Sequence, residues 1–229
     1  MPLTGKVAVV VGGSSGIGAA SVRALAAQGG TVAIGYHEGR ERAAALLESL
    51  PPAGHSCVQL SLTDAQSIRT AANEVETRHG RMDILVNSAG ATRPVPHADL
   101  EALDDELFDR LLRSNVGGPF ATIRAFAPLL RRSGDGVIVN ISSISAFTGQ
   151  GSNIAYCSSK AALDTMTLSL ARALAPEIRV LCVSPGAVAT GFVAGRDRDA
   201  LERLAAATPL RRVVEPEDVA RAVIACISH

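Results

Sequence analysis

Tyr156 and Lys160 stand four residues apart in Tyr156-Cys157-Ser158-Ser159-Lys160, and Ser143 lies thirteen residues upstream of the tyrosine. Residues at i and i+4 share one face of a helix, so a helical stretch here would point the phenol and the ammonium into one site. A free tyrosine titrates near pH ~10, too high for efficient proton transfer at neutral pH, and an adjacent cation lowers that value. At an effective dielectric of ~20, a unit charge ~4 Å away contributes ~4 kcal/mol, an upper figure equivalent to about 3 pKa units. A serine hydroxyl opposite the phenol can hydrogen-bond a substrate oxygen while the tyrosine gives or takes its proton. Reversible carbonyl/alcohol chemistry fits that pairing. A packed tyrosine with a solvated lysine one turn on has the same spacing, so the reading needs a second element.

That element is Gly12-Gly13-Ser14-Ser15-Gly16-Ile17-Gly18, directly after the strand-like Val7-Ala8-Val9-Val10-Val11. Gly12 lets the chain turn, and Gly16 and Gly18 allow close approach of backbone to a diphosphate and of helix to sheet. The following helix N-terminus supplies amide donors and positive potential. The pattern is not the Gly-x-x-x-x-Gly-Lys-Ser/Thr phosphate loop, which counts against a nucleotide triphosphatase.

The chain has 229 residues, enough for one large domain with a substantial core. Lys+Arg and Asp+Glu both number 22, so no basic excess points to nucleic acid, and a small-molecule partner is expected. Cys57, Cys157, Cys182 and Cys226 are widely spaced, with no ligand pattern shared with the five histidines. A reduced, metal-free cytoplasmic protein is expected, with Cys157 packed away from the Tyr156 face. No apolar run approaches the ~18 residues needed to cross a membrane, and no targeting segment is visible.

The elements that must position these residues alternate along the chain. Residues 6–11, 31–36, 56–60, 83–87, 136–141 and 178–183 read as buried parallel strands, short, rich in valine and isoleucine and bounded by turn residues. Helical patterns occupy 16–29, 40–50, 64–79, 100–131 and 154–175, the fourth holding two helices with a break before Asn115. This is the rhythm of a doubly wound, Rossmann-type parallel sheet in a three-layer α/β/α arrangement, one domain over 1–229. Residues 184–215 lose the rhythm before a helix resumes behind Glu215-Pro216-Glu217-Asp218, and 187–215 is a candidate substrate lid.

Together these motifs resemble the short-chain dehydrogenase/reductase family in its single-domain form, over nearly the whole chain. Gly12, Ser14, Ser15, Gly16, Ile17 and Gly18 match the cofactor loop, with Val11 where a threonine is usual. Asn87-Ser88-Ala89-Gly90 resembles the element after strand four, which assigns Asn87, Ala89 and Gly90 to the cofactor site. The resemblance implies that Ser143 orients substrate, Tyr156 is the acid/base, and Lys160 lowers the tyrosine pKa and binds the nicotinamide ribose. It also implies that Asn115 holds a water in a proton relay; satisfying backbone groups at a helix interruption is the other role open to that asparagine. In Ser184-Pro185-Gly186-Ala187-Val188-Ala189-Thr190, the positions Pro185, Gly186, Val188 and Thr190 fall to the nicotinamide carboxamide. Ser61 and Leu62 stand at the adenine element, and Asp64 caps the next helix.

Strand two ends Gly35-Tyr36-His37-Glu38-Gly39-Arg40, without the acid that receives a ribose 2′-hydroxyl in NAD-selective enzymes. A 2′-phosphate is therefore not repelled, and Tyr36, His37, Arg40 or Arg42 are its candidate partners, which favours NADP(H) over NAD(H). Arg40 and Arg42 also read as the solvated start of a helix. The resemblance implies an NADPH-preferring ketone reductase, closest in pattern to 3-oxoacyl-carrier-protein reductases. An NAD-dependent polyol or hydroxysteroid dehydrogenase and a non-catalytic nicotinamide-binding sensor are the alternatives. Family members continue into a seventh strand after the helix that reaches Ala225-Cys226-Ile227-Ser228-His229, so a six-stranded sheet with an exposed sixth strand is expected, along with a homo-dimer or homo-tetramer.

Overall fold

Five consecutive apolar residues, all buried, form strand β1 (Val7–Val11), and their side chains alternate between two separate cores. Val9 and Val11 enter one, Ala8 and Val10 the other. A strand buried on both faces is the signature of a parallel sheet covered by helices on each side. The computed structural model describes residues 3–228. Its sheet contains β1, β2 (Thr31–Tyr36), β3 (Ser56–Gln59), β4 (Ile84–Asn87), β5 (Gly136–Ile141) and β6 (Ile178–Val183) in the order β3-β2-β1-β4-β5-β6. All neighbours run parallel, so the expected doubly wound sheet is borne out.

Helices α1 (Gly16–Ala27), α2 (Arg40–Glu48) and α9 (Pro216–Ser228) cover one face. Helices α3 (Ala65–His79), α5 (Gly118–Ser133) and α7 (Ile154–Leu174) cover the other. The chain order reverses direction across the sheet between β1 and β4, where the crevice outside the carboxyl ends of the strands takes ligands in such folds. Asp64 caps α3 as its sequence promised, its carboxylate accepting from the amides of Gln66 at 2.8 Å and Ser67 at 3.2 Å.

Three local readings are corrected. The two helices expected in 100–131 are present, but the interruption before Asn115 is a π-helical turn and not a break. Helix α4 (Asp105–Leu112) runs into α5 through a π-helical turn, Arg113–Gly117, in which Gly118 N–H donates to the Arg113 carbonyl. Pro119 has no amide hydrogen for the Asn115 carbonyl of a regular α-helix, and the wider turn accommodates that missing bond. Residues 184–215 are not wholly irregular, because α8 (Arg198–Ala206) forms there behind an Asp197 cap. A four-residue helix, α6 (Ser145–Thr148), also follows β5.

Candidate active site

Asn153 starts the helix that carries the tyrosine. Its side-chain oxygen accepts from Tyr156 N–H at 2.6 Å, and its amide donates to the Arg93 carbonyl at 2.7 Å, so the first turn of α7 is pinned to the loop after β4. Tyr156 and Lys160 then face one cavity of about 350 Å³, whose wall also includes Ser143 and the predicted residues Ile17, Gly90, Pro185, Gly186, Val188 and Thr190. A second cavity of about 230 Å³ is lined by Gly12, Tyr36, His37, Ser61, Leu62, Ala89 and Gly90. Gly90 lines both, so the two cavities adjoin along the carboxyl ends of β1, β2, β4 and β5.

The glycine loop is shaped by close approach. Gly12 has φ +76°, and a Cβ on it would stand 2.9 Å from the Ala89 backbone. A Cβ on Gly18 would collide with the Gly12 carbonyl, and one on Gly16 would meet Thr190 at 3.2 Å, which places the segment after β6 against the loop. Ser15 gives α1 no side-chain cap, and no acid lies in its first turn, so its amides and positive end remain available to an anion. Ser14, Ser15, Gly16 and Gly18 build the loop without lining either cavity.

Burial governs the electrostatics. Lys160 is 5% exposed, and its Nζ donates to the Ile141 carbonyl at 2.8 Å. Desolvation lowers its pKa from 10.5 to about 8, although Cys182 and Asp164 pull upward. Burial likewise pushes the Tyr156 phenol above its ordinary value, with Ser143 and Arg196 acting in the other direction. The expected net lowering of the tyrosine is therefore not what this arrangement produces: the Lys160 Nζ lies 5.7 Å from the ring centroid and its proton is directed to a carbonyl. The Ser143 Oγ accepts from Ser145 N–H at 3.1 Å, which leaves its own hydrogen to donate.

Some predicted residues fall elsewhere. Asn115 is buried outside both cavity walls. Its Oδ1 accepts from Ala91 N–H at 2.8 Å, and its Nδ2 donates to the Ala91 carbonyl and Ser159 Oγ at 3.0 Å each, the backbone-satisfying role. Asn87 donates to Asn140 Oδ1 at 2.9 Å, joining β4 to β5 behind the cavities. Arg40 and Arg42 are both exposed at the start of α2, but the Arg42 guanidinium lies over Gly39: a Cβ there would stand 2.6 Å from Arg42 Nη2 and 2.8 Å from Ser14 Oγ. Sequence reasoning did not single out Ile144, Phe192, Val193 and Leu204, which line the larger cavity together with Arg196. Ile144 directly precedes the unforeseen helix α6, and the others fall in or beside α8 within the stretch read as irregular.

Two adjoining cavities thus have a glycine loop at one side and Ser143, Tyr156 and Lys160 at the other. Residues 11–229 match the family model described as Enoyl-(Acyl carrier protein) reductase. The chain belongs to the short-chain dehydrogenase/reductase family. It is an oxidoreductase of that family, whose members act between CH-OH and carbonyl groups with NAD(P). It is 36% identical over 229 residues to a 3alpha-hydroxysteroid dehydrogenase of Mediterraneibacter gnavus, covering 98% of this chain and 90% of the relative. It is 34% identical over 227 residues to the 3-oxoacyl-[acyl-carrier-protein] reductase FabG of Thermotoga maritima, covering 98% and 91%. The structure of a short chain dehydrogenase from Burkholderia cenocepacia J2315 in complex with NADP superimposes with a TM-score of 0.88 at 32% identity, over 99% of this chain and 92% of that one.

Proposed function

We propose that this protein is an NADPH-preferring ketone reductase that interconverts a carbonyl and a secondary alcohol. The observation that carries the reading is that Ser143, Tyr156 and Lys160 line one cavity, which adjoins at Gly90 the cavity beside Gly12 and the end of β2. The glycine cradle and the uncapped start of α1 fit a dinucleotide. Gly12, Ile17, Ser61, Leu62, Ala89 and Gly90 would hold it on one side, and Lys160, Pro185, Gly186, Val188 and Thr190 on the other. When bound, the nicotinamide would supply a hydride, a proton with two electrons, to the carbonyl carbon.

The protein's own part is to orient and to move a proton. Ser143 donates to the substrate oxygen, and Tyr156 delivers its phenolic proton to that same oxygen as negative charge develops there. Desolvation keeps the phenol protonated but makes it a weaker donor, and the Ser143 hydrogen bond and the Arg196 charge act against that rise. Lys160, held by Ile141, supplies cationic charge below about pH 8. In the reverse direction Tyr156 accepts the proton from the alcohol. Arg42 beside Ser14, with no acid at the end of β2, supports preference for a 2′-phosphate.

The apolar mouth formed by Ile144, Phe192, Val193 and Leu204, together with the likeness to the 3alpha-hydroxysteroid dehydrogenase, favours hydroxysteroid oxidation as a second reading. A reducing cytoplasmic setting accords with four free cysteines, and a homo-dimer or homo-tetramer with exposed Phe120 and Leu168 on α5 and α7. No helix among the described residues is long and apolar enough to cross a membrane.

The test is fluorescence titration with NADPH and NADH, followed by loss of reduced-nicotinamide absorbance over a panel of ketones and 3-oxoacyl thioesters. Tighter NADPH binding with ketone-dependent oxidation is expected. Binding without oxidation of the cofactor across the panel would sink the reductase reading.

A further inference from the structure

The segment over the larger cavity carries several arginines, and they differ in what they touch. Arg198 is spent on Glu215 at 2.7 Å and Glu202 at 3.2 Å, and Arg212 on Asp218 at 2.7 Å. Arg203 is exposed and lies outside the cavity wall. Arg196 alone among them lines the cavity. It is half-buried, and among the described residues its guanidinium has neither an ion pair nor a hydrogen bond. Burying even part of a charge without a partner is costly, so a site that keeps one unpaired is arranged to receive its partner from outside.

The surroundings narrow what that partner is. Ile144, Phe192, Val193 and Leu204 give the wall an apolar character, and the Phe192 ring stands 6.0 Å from the Tyr156 ring. Ile144, Phe192 and Leu204 are 47%, 40% and 47% exposed, so they have apolar surface left to cover. Arg196 is near enough to Tyr156 for its charge to act on the phenol. One molecule lying on Ile144 and Phe192 therefore reaches both the proton donor and the guanidinium.

Resting on the reductase reading, we propose that the natural substrate is a ketone with an apolar body and an anionic group, which pairs with Arg196 while the carbonyl meets Tyr156 and Ser143. A planar guanidinium suits a carboxylate, which it can grip with two parallel hydrogen bonds. The anionic group sets affinity and the position of the carbonyl. The reaction itself is unchanged.

The experiment compares 4-oxocyclohexanecarboxylate with its uncharged methyl ester, in the wild type and in the Arg196→Gln and Arg196→Lys variants, together with the NADPH Kd of each. A lower KM for the carboxylate than for the ester is expected in the wild type. Arg196→Gln should raise the carboxylate KM about 10- to 100-fold, in line with a hydrogen-bonded charge pair, and leave the ester KM near wild type, while any change in kcat that follows from the lost charge beside Tyr156 is shared by both probes. Arg196→Lys should recover part of the difference. Equal KM values for the two probes in the wild type would overturn the proposal. So would a Gln variant that weakens both probes alike, or that weakens NADPH instead, since the guanidinium would then serve the fold or the cofactor. If neither probe is turned over, the reductase reading fails for this class of ketone, and saturation-transfer NMR still decides the site: carboxylate binding lost in Arg196→Gln sustains the anion role, and binding kept or absent in both proteins ends it.

Discussion

The Lys160 Nζ donates to the Ile141 carbonyl at 2.8 Å, so the cation of the candidate site is tied to the end of β5, the strand that leads into Ser143. Helix α7 and strand β5 thus hold one another in register at the place where the chemistry is proposed. The lysine stays 5% exposed there, which sets its acidity.

That acidity predicts a pH response. Below about pH 8 both folded and unfolded chains carry the ammonium, and the folded chain bears the cost of burying it. Between about 8 and 10.5 the folded chain has released a proton that the unfolded chain keeps, so this group's burden lifts as pH rises. The stability of Lys160→Met relative to wild type should therefore fall between pH 7 and pH 10. Ketone reduction by the wild type should decline through about pH 8 as the cation is lost. Urea unfolding at several pH values checks the first part, and a stability difference that stays flat contradicts it; a 15N titration of the amine locates the midpoint directly.

Removal of the Tyr156 hydroxyl should cost the proton and little else. Tyr156→Phe is expected to lower kcat about 10²- to 10⁴-fold, with the NADPH Kd and Tm near wild type. Steady-state kinetics with cofactor titration measure this, and turnover at the wild-type rate would remove the acid/base role.

Arg42 should matter more than Arg40 for the choice of cofactor. Arg42→Ala is expected to weaken NADPH binding about 10- to 100-fold and leave NADH binding unchanged, whereas Arg40→Ala should affect both little. Parallel titrations of the two variants with the two cofactors check it, and equal losses for NADPH and NADH would show that Arg42 does not meet a phosphate.

Asp83 anchors the start of β4. It is 1% exposed, accepts from Val7 N–H at 2.8 Å and Arg81 Nε at 3.0 Å, and lies 3.3 Å from the Lys6 Nζ. Burial pushes its pKa up, but the Arg81 hydrogen bond, the Val7 amide and the Lys6 charge outweigh it and hold the carboxyl below the usual range. A depressed acid stabilises the fold above its unfolded pKa and loses that contribution as pH falls through its folded value. Asp83→Asn should destabilise the protein by about 1–3 kcal/mol at pH 7, with a smaller difference in acid, as read from unfolding curves at pH 7 and pH 3.

The strands were legible because valine and isoleucine runs buried on both faces leave few other solutions, and the Asp64 cap was legible because its bonds are local. The π turn at Asn115 was not, since it depends on Pro119 and on side-chain bonds to Ala91 and Ser159, far off in sequence. Helix α8 escaped although Asp197 followed by Leu201, Leu204 and Ala205 carries a cap and an apolar stripe; the stripe is short, and flanking arginines and glycines masked it. For the site, spacing located Ser143, Tyr156 and Lys160. It could not weigh burial against charge at the phenol, tell Arg42 from Arg40, or separate Arg196 from its paired neighbours, because each depends on how the chain folds back on itself.

Helix α1, whose open end faces the proposed dinucleotide, is backed by α9: Ala19, Val22, Leu25 and Ala26 share a core with Val219, Val223 and Ile227. A pairing between segments so distant in sequence is slow to form, because loop closure must precede the contacts that reward it. On the ribosome, α1 therefore waits with part of its apolar side uncovered until α9 has been synthesised. The anion cradle gains its full backing only once α9 has docked, which leaves an interval in which chaperones or like chains compete for that helix.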